Sequence, residues 1–193
     1  MLDLYIMRAY HEEIIDNVVS YIAQRYYSAF HRNITQTLLF KVLALLDFRS
    51  LRQNGRPCLE LTYSARERGP VPEQLYNRDL SAYKAFTVKE KKYDRYNTRY
   101  FISTKVPNLD YLSPSEIAIL NGIIDQFISE KVNGSKASEI THKEIKAWKL
   151  AYDREPNSLM SYDDEFDNLE NKDEGDMTIP ELNYMKYREF TRV

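Results

Sequence analysis

Three histidines and one cysteine are the side chains in this chain best suited to metal binding or nucleophilic chemistry. His11 and His31 share one stretch of helical periodicity and stand twenty residues apart. A helix rises 1.5 Å per residue, so about 30 Å separates them and they cannot share an ion. His142-Lys143-Glu144 has the His-x-Glu order of zinc deaminases, but the Pro-Cys-x-x-Cys that completes such a site is missing. Cys58 has no local nucleophile signature and reads as a buried structural residue on an alternating strand. The five glycines assemble neither a Walker loop nor a dinucleotide fingerprint, so Gly69-Pro70 reads as a turn. These patterns point away from an enzyme, and neither cofactor nor metal is expected.

The segment from Lys84 to Lys105 mixes cations with rings in the way single-strand nucleic-acid binders do. Lys89, Lys91, Lys92 and Arg95 are its candidate contacts, to a protein partner or to nucleic acid. In a hairpin, however, alternation alone would turn aromatics inward and lysines outward. A net charge of −2 is also far from the basic footprint of nucleic-acid proteins.

The elements that position these residues are mostly helices. Ile14, Ile15, Val18, Val19, Ile22, Tyr26 and Phe30 recur at helical spacing over residues 10–30. Asn33, with Gln36 three residues on, is expected to cap a second helix through Leu38, Leu43, Leu46 and Leu51, ended by Gly55. That helix is apolar around more than half its circumference and should be central to the core. Leu59, Leu61, Tyr63 and Ala65 alternate with polar residues as a half-buried strand, stopped by Gly69-Pro70-Val71-Pro72. Pro72 suits a first helical turn, which predicts a short helix from Val71 to Tyr83. A hairpin is expected over Thr87–Thr104. Ser113-Pro114-Ser115-Glu116 predicts a capped helix running to about Asn133-Gly134. Ser135–Ile140 should form one helical turn. Thr141 and Glu144 then read as a capping box opening a helix at His142, with Ile145 and Trp148 on one face. Trp148 is expected to anchor the core, which requires an acceptor for its indole N–H.

Charge divides the chain. Residues 1–152 carry a balance of +5, residues 153–181 of −9, and the last twelve of +2. Residues 157–178, poor in aliphatics, read as loop or disorder, and Pro180 opens a final amphipathic helix. The expected organisation is a mainly helical α+β domain over residues 1–155 with a small antiparallel sheet or hairpin, then an acidic segment and helix over 156–193. A single cysteine, no signal-peptide pattern and no apolar run of about 20 residues indicate a cytoplasmic protein.

Three segments in order carry a resemblance: Asn33-Ile34-Thr35-Gln36-Thr37-Leu38-Leu39-Phe40-Lys41, Arg66-Glu67-Arg68-Gly69-Pro70-Val71-Pro72-Glu73-Gln74-Leu75-Tyr76, and Glu139-Ile140-Thr141-His142-Lys143-Glu144-Ile145-Lys146-Ala147-Trp148-Lys149. Together, over about residues 10–155, they resemble the Panacea domain, the family of SocA-like antitoxins. Phe40-Lys41-Val42-Leu43 departs from the family's usual Lys-Leu-Leu-Tyr, and Arg66-Glu67-Arg68 from its aromatic with Lys or Tyr. The resemblance implies a non-enzymatic protein that binds and neutralises a toxin encoded beside it. Related copies occur in phages and prophages, and in one branch the antitoxin delivers its toxin to a Clp-type protease. It makes Gly69, Pro70, Val71, Thr141, His142 and Trp148 the family-motif residues, building the scaffold beside the partner. The alternative function is a nucleic-acid-binding transcriptional regulator.

Overall fold

A computed structural model describes residues 10–94 and 97–191 of the chain. Helix α1 (His11–Phe30) leads through the two-residue strand β1 (Ile34–Thr35) into α2 (Gln36–Asn54). A tight hairpin follows, β2 (Tyr63–Arg66) and β3 (Gly69–Pro72), then a longer one, β4 (Phe86–Lys92) and β5 (Asn97–Ser103). Helices α3 (Pro114–Ser129), α4 (Gly134–Glu144) and α5 (Lys146–Arg154) complete the body. Three short 3-10 turns, Tyr162–Glu165, Leu169–Asn171 and Glu174–Asp176, lead to α6 (Ile179–Thr191). The architecture is α+β and mainly helical, with two small antiparallel sheets ordered β1-β5-β4 and β2-β3.

Helix α2 is the axis. Every residue from Leu38 to Phe48 is buried, and α3, α4, α6 and β3 all pack against it. Its cap is Thr35, whose hydroxyl accepts from the Leu38 amide, so the start lies two residues beyond the expected Asn33. Gly55 ends it in the left-handed conformation (φ 78°). A Cβ there would lie 2.4 Å from both Asn183 Cβ and the Pro180 carbonyl of α6, so only glycine admits that close approach. The Ser113–Glu116 capping box forms as expected. The β4–β5 hairpin is present, tied to α1 where Asp16 accepts from the amides of Lys84 and Ala85 at 2.8 Å each.

Three further local expectations are corrected. Val71–Tyr83 is not a helix: Pro70 and Pro72 sit in β3, opposite Ala65 and Tyr63. Ala65 and Tyr63 spend their backbone groups on Ser158, Asn157 and Met160 on the far side of β2. Both prolines therefore occupy positions where the ladder needs no N–H. Thr141 is not a cap either. It lies in the last turn of an eleven-residue α4, its hydroxyl donating to the Ser138 and Ala137 carbonyls at 2.9 and 3.2 Å.

The third correction concerns the acidic segment, which is loop with short 3-10 turns, one of the two expected states, but is not a disordered tail: it folds against the body. Leu159 bridges to Ser64, and Tyr162 donates to the Leu61 carbonyl at 2.7 Å. The Glu165 carboxylate, nearly buried, pairs with Arg52 and accepts the Ala147 amide at 3.0 Å. Glu165 thus supplies the N-terminal cap of α5 that Thr141 does not.

Candidate functional site

The motif residues converge where the β2–β3 hairpin meets α2, α4 and α5. Lys41 on α2 is 2 % exposed, and its ammonium donates to the Pro70 carbonyl at 2.9 Å. Gly69 takes a φ of +97°, and a Cβ there would lie 2.8 Å from Thr141 Oγ1 and 3.0 Å from Lys41 Nζ. Gly69 is fixed by its left-handed backbone and by this close approach together. Burial lowers the Lys41 pKa to about 7.

On the other side of the hairpin, Trp148 donates its indole N–H to the Arg66 carbonyl at 3.0 Å, the acceptor the sequence did not reveal. His142 stacks flat on the indole, centroids 3.7 Å apart and planes within 3°, and the Tyr152 ring stacks with the indole as well, at 5.2 Å. Burial first, and the Lys41 charge second, lower the His142 pKa, favouring neutral imidazole. Its Nε2 is buried with no hydrogen-bond partner among the described residues. The Arg66 side chain makes a separate contact, its guanidinium 4.1 Å above the Tyr76 ring and 3.6 Å from Glu73. Ser138 donates to the Arg68 carbonyl at 2.9 Å, fastening the hairpin tip to α4. Gly69, Pro70, Thr141, His142 and Trp148 are therefore one packed unit, while half-buried Val71 pairs with Ser64 across the hairpin.

Residues 39–149 match the family described as Antitoxin SocA-like, Panacea domain, more than half of the 193 residues. The chain belongs to this antitoxin family. Neither a curated protein nor a solved structure matches it. The Panacea match begins three residues into α2 and ends at Lys149, so it contains both hairpins, α3, α4 and the first turn of α5 with Trp148. Helix α1, the acidic segment and α6 lie outside it. Among the described residues no helix is long and apolar enough to cross a membrane. No cluster of three or more His, Cys, Asp or Glu is placed to hold a metal ion among them.

Two further features of the chain carry no motif in the sequence. Asp47, fully buried on α2, accepts from the Leu59 and Leu61 amides, from the Tyr63 hydroxyl at 2.9 Å and from the Tyr162 hydroxyl at 3.3 Å. Burial raises its pKa to about 7 against the pull of those four donors. Lys41 and Asp47 both interrupt an apolar run, the one signal that marked them. Beside Asp47, a cavity of about 530 Å³ lies between Tyr63, Met160, Tyr162, Tyr184 and Tyr187 at the junction of body and tail. Its walls are largely satisfied internally: Tyr184 donates to Asp163 at 2.8 Å and His11 contacts the Leu59 carbonyl at 2.7 Å.

The basic candidates lie elsewhere. Lys89, Lys91 and Lys92 are exposed on β4, on the opposite hairpin from the motif cluster, and Arg95 lies outside the described residues. Lys91 sits 5.0 Å from the Tyr93 ring, and the Tyr93 and Tyr100 hydroxyls are 3.1 Å apart. Arg99 does not join them. It turns under the hairpin, donating to the Arg78 carbonyl at 3.2 Å.

Proposed function

We propose that this protein neutralises a cognate toxin by stoichiometric protein contact, without catalysing a reaction, and that it does so in the cytoplasm. Membership of the SocA-like antitoxin family over residues 39–149 carries the reading. The geometry supports it: Lys41, Thr141, His142 and Trp148, the groups with chemical potential, are packed into the joint between hairpin and helices. Their role is to hold a surface in shape. Delivery of the captured toxin to a Clp-type protease is the stronger form of the reading, and would shorten the toxin's half-life on co-expression.

The test is genetic. The product of the adjacent open reading frame should arrest growth when expressed alone and be harmless when co-expressed with this chain. Harmless expression alone, or arrest that co-expression does not relieve, would overturn the pairing.

The second reading, a nucleic-acid-binding regulator, draws on the exposed Lys89, Lys91 and Lys92 beside Tyr93 and Tyr100. It requires a salt-dependent gel shift that charge reversal at those lysines abolishes. Absence of any shift at low salt eliminates it.

A further inference from the structure

We propose that the outer edge of β4 is a docking strand, joined by an extended acidic segment of a partner protein as the fourth strand of the sheet. The inference rests on the antitoxin reading only for the identity of that partner, the toxin.

The sheet order β1-β5-β4 leaves β4 at an edge, and among the described residues no strand pairs with its outer side. β4 is seven residues long, without proline, and its ladder to β5 runs unbroken from Phe86↔Ser103 to Lys92↔Asn97. The Thr104 amide donates to the Ala85 carbonyl at 2.8 Å, which makes Ala85–Thr104 a hydrogen-bonded pair. Antiparallel alternation then directs the backbone of Thr87, Lys89 and Lys91 toward β5. It turns the N–H and C=O groups of Phe86, Val88, Glu90 and Lys92 outward. A row of outward backbone groups is the template for strand addition.

Charge selects the guest. Lys89, Lys91 and Lys92 are exposed along the edge and Lys84 is exposed at its entry. The acidic residues there are Glu90, set directly across from Arg99, and exposed Asp94. Two copies of β4 paired with each other would bring lysines together, which is unfavourable. An acidic strand gains from the same lysines in both register and encounter rate. The lysines also alternate between the two faces of the strand, Lys89 and Lys91 on one and Lys92 on the other. They therefore follow the edge, whereas a nucleic-acid groove would gather its cations on one face.

The test uses the purified full chain and a pool of octapeptides with Asp or Glu at alternate positions and Val, Ile or Thr between. Saturating peptide should slow amide exchange at Val88 and Glu90 at least tenfold and leave Lys89, already bonded to β5, unchanged. A matched pool with Lys in place of the acids should not bind. Glu90→Pro removes one outward N–H while sparing the bonds to β5, and should weaken binding at least tenfold. Charge reversal by Lys89→Glu with Lys91→Glu should do the same without altering the backbone. Unchanged exchange at Val88 and Glu90, or equal binding by the Glu90→Pro chain, overturns the proposal. So does tighter, lysine-dependent binding of oligo-dT, or a dimer of the free chain that Glu90→Pro dissolves. If the neighbouring toxin is captured equally by wild type and Glu90→Pro, the edge proposal fails and the antitoxin reading stands. If neither captures it, the antitoxin reading fails, and the peptide exchange still decides the edge.

Discussion

Alanine at Gly69 would have to hold a φ of +97° and place its methyl 2.8 Å from Thr141 Oγ1. The strain alone is of order 1–3 kcal/mol, so Gly69→Ala should lower the urea midpoint by a corresponding amount at unchanged slope. An unshifted midpoint would contradict the close packing of hairpin on α4. Lys41 gives a pH signature. Its folded pKa, about 7, lies below the ordinary 10.5, so the unfolded chain binds the proton first. The stability owed to neutral Lys41 is full above pH 10.5 and is lost progressively as pH falls to about 7. Lys41→Met keeps the bulk and removes the amine. The stability of the variant relative to wild type should therefore rise as pH is lowered from 10 to 7, read from denaturation curves at each pH. A constant difference would show that Lys41 is not desolvated as described. At Asp47, four donors converge on one carboxylate. Asp47→Asn sets an NH₂ against them, and should cost about 1–3 kcal/mol for each buried donor left unsatisfied; the same curves at pH 7 measure it.

At the scale of elements, legibility followed the range of the determining contacts. Helices α1, α2 and α3 were readable because periodicity and caps such as Ser113–Glu116 lie within a few residues of each other. The β2–β3 hairpin was misread because a proline fits both a first helical turn and an unbonded edge position. What decides between them is the pairing of Ala65 and Tyr63 with Ser158–Met160, some ninety residues away in sequence. The start of α5 was misread for the same reason, since its cap is the Glu165 carboxylate and not the Thr141 hydroxyl. The convergence of Gly69, Thr141 and Trp148 was legible as motifs in order. Lys41, set against Gly69 and bonded to the Pro70 carbonyl, was not. Glu165→Ala should therefore cost about 1–3 kcal/mol through the orphaned Ala147 amide, with Arg52 keeping only its contacts to Glu144, and lower the melting temperature. A melting temperature equal to wild type would show that α5 needs no cap from the acidic segment.

For the whole molecule, the acidic segment is the telling piece. Its composition reads as a solvated tail, yet Tyr162, Glu165 and Lys146–Asp167 bind it to the body, and α6 closes over Gly55. A chain shortened to residues 1–155 should melt lower than the full chain, because it strips the partners of Leu61, Arg52 and Asp47. An identical melt would show that 156–193 adds no stability. What distinguishes the proposed antitoxin from an enzyme acting on the toxin is stoichiometry. The decisive measurement is calorimetric titration of the purified full chain into the purified product of the adjacent toxic gene. Saturation at a fixed molar ratio, with toxicity lost only as that ratio is approached, is the predicted result. No binding heat, or inactivation of the toxin by a small fraction of an equivalent, would contradict neutralisation by direct contact.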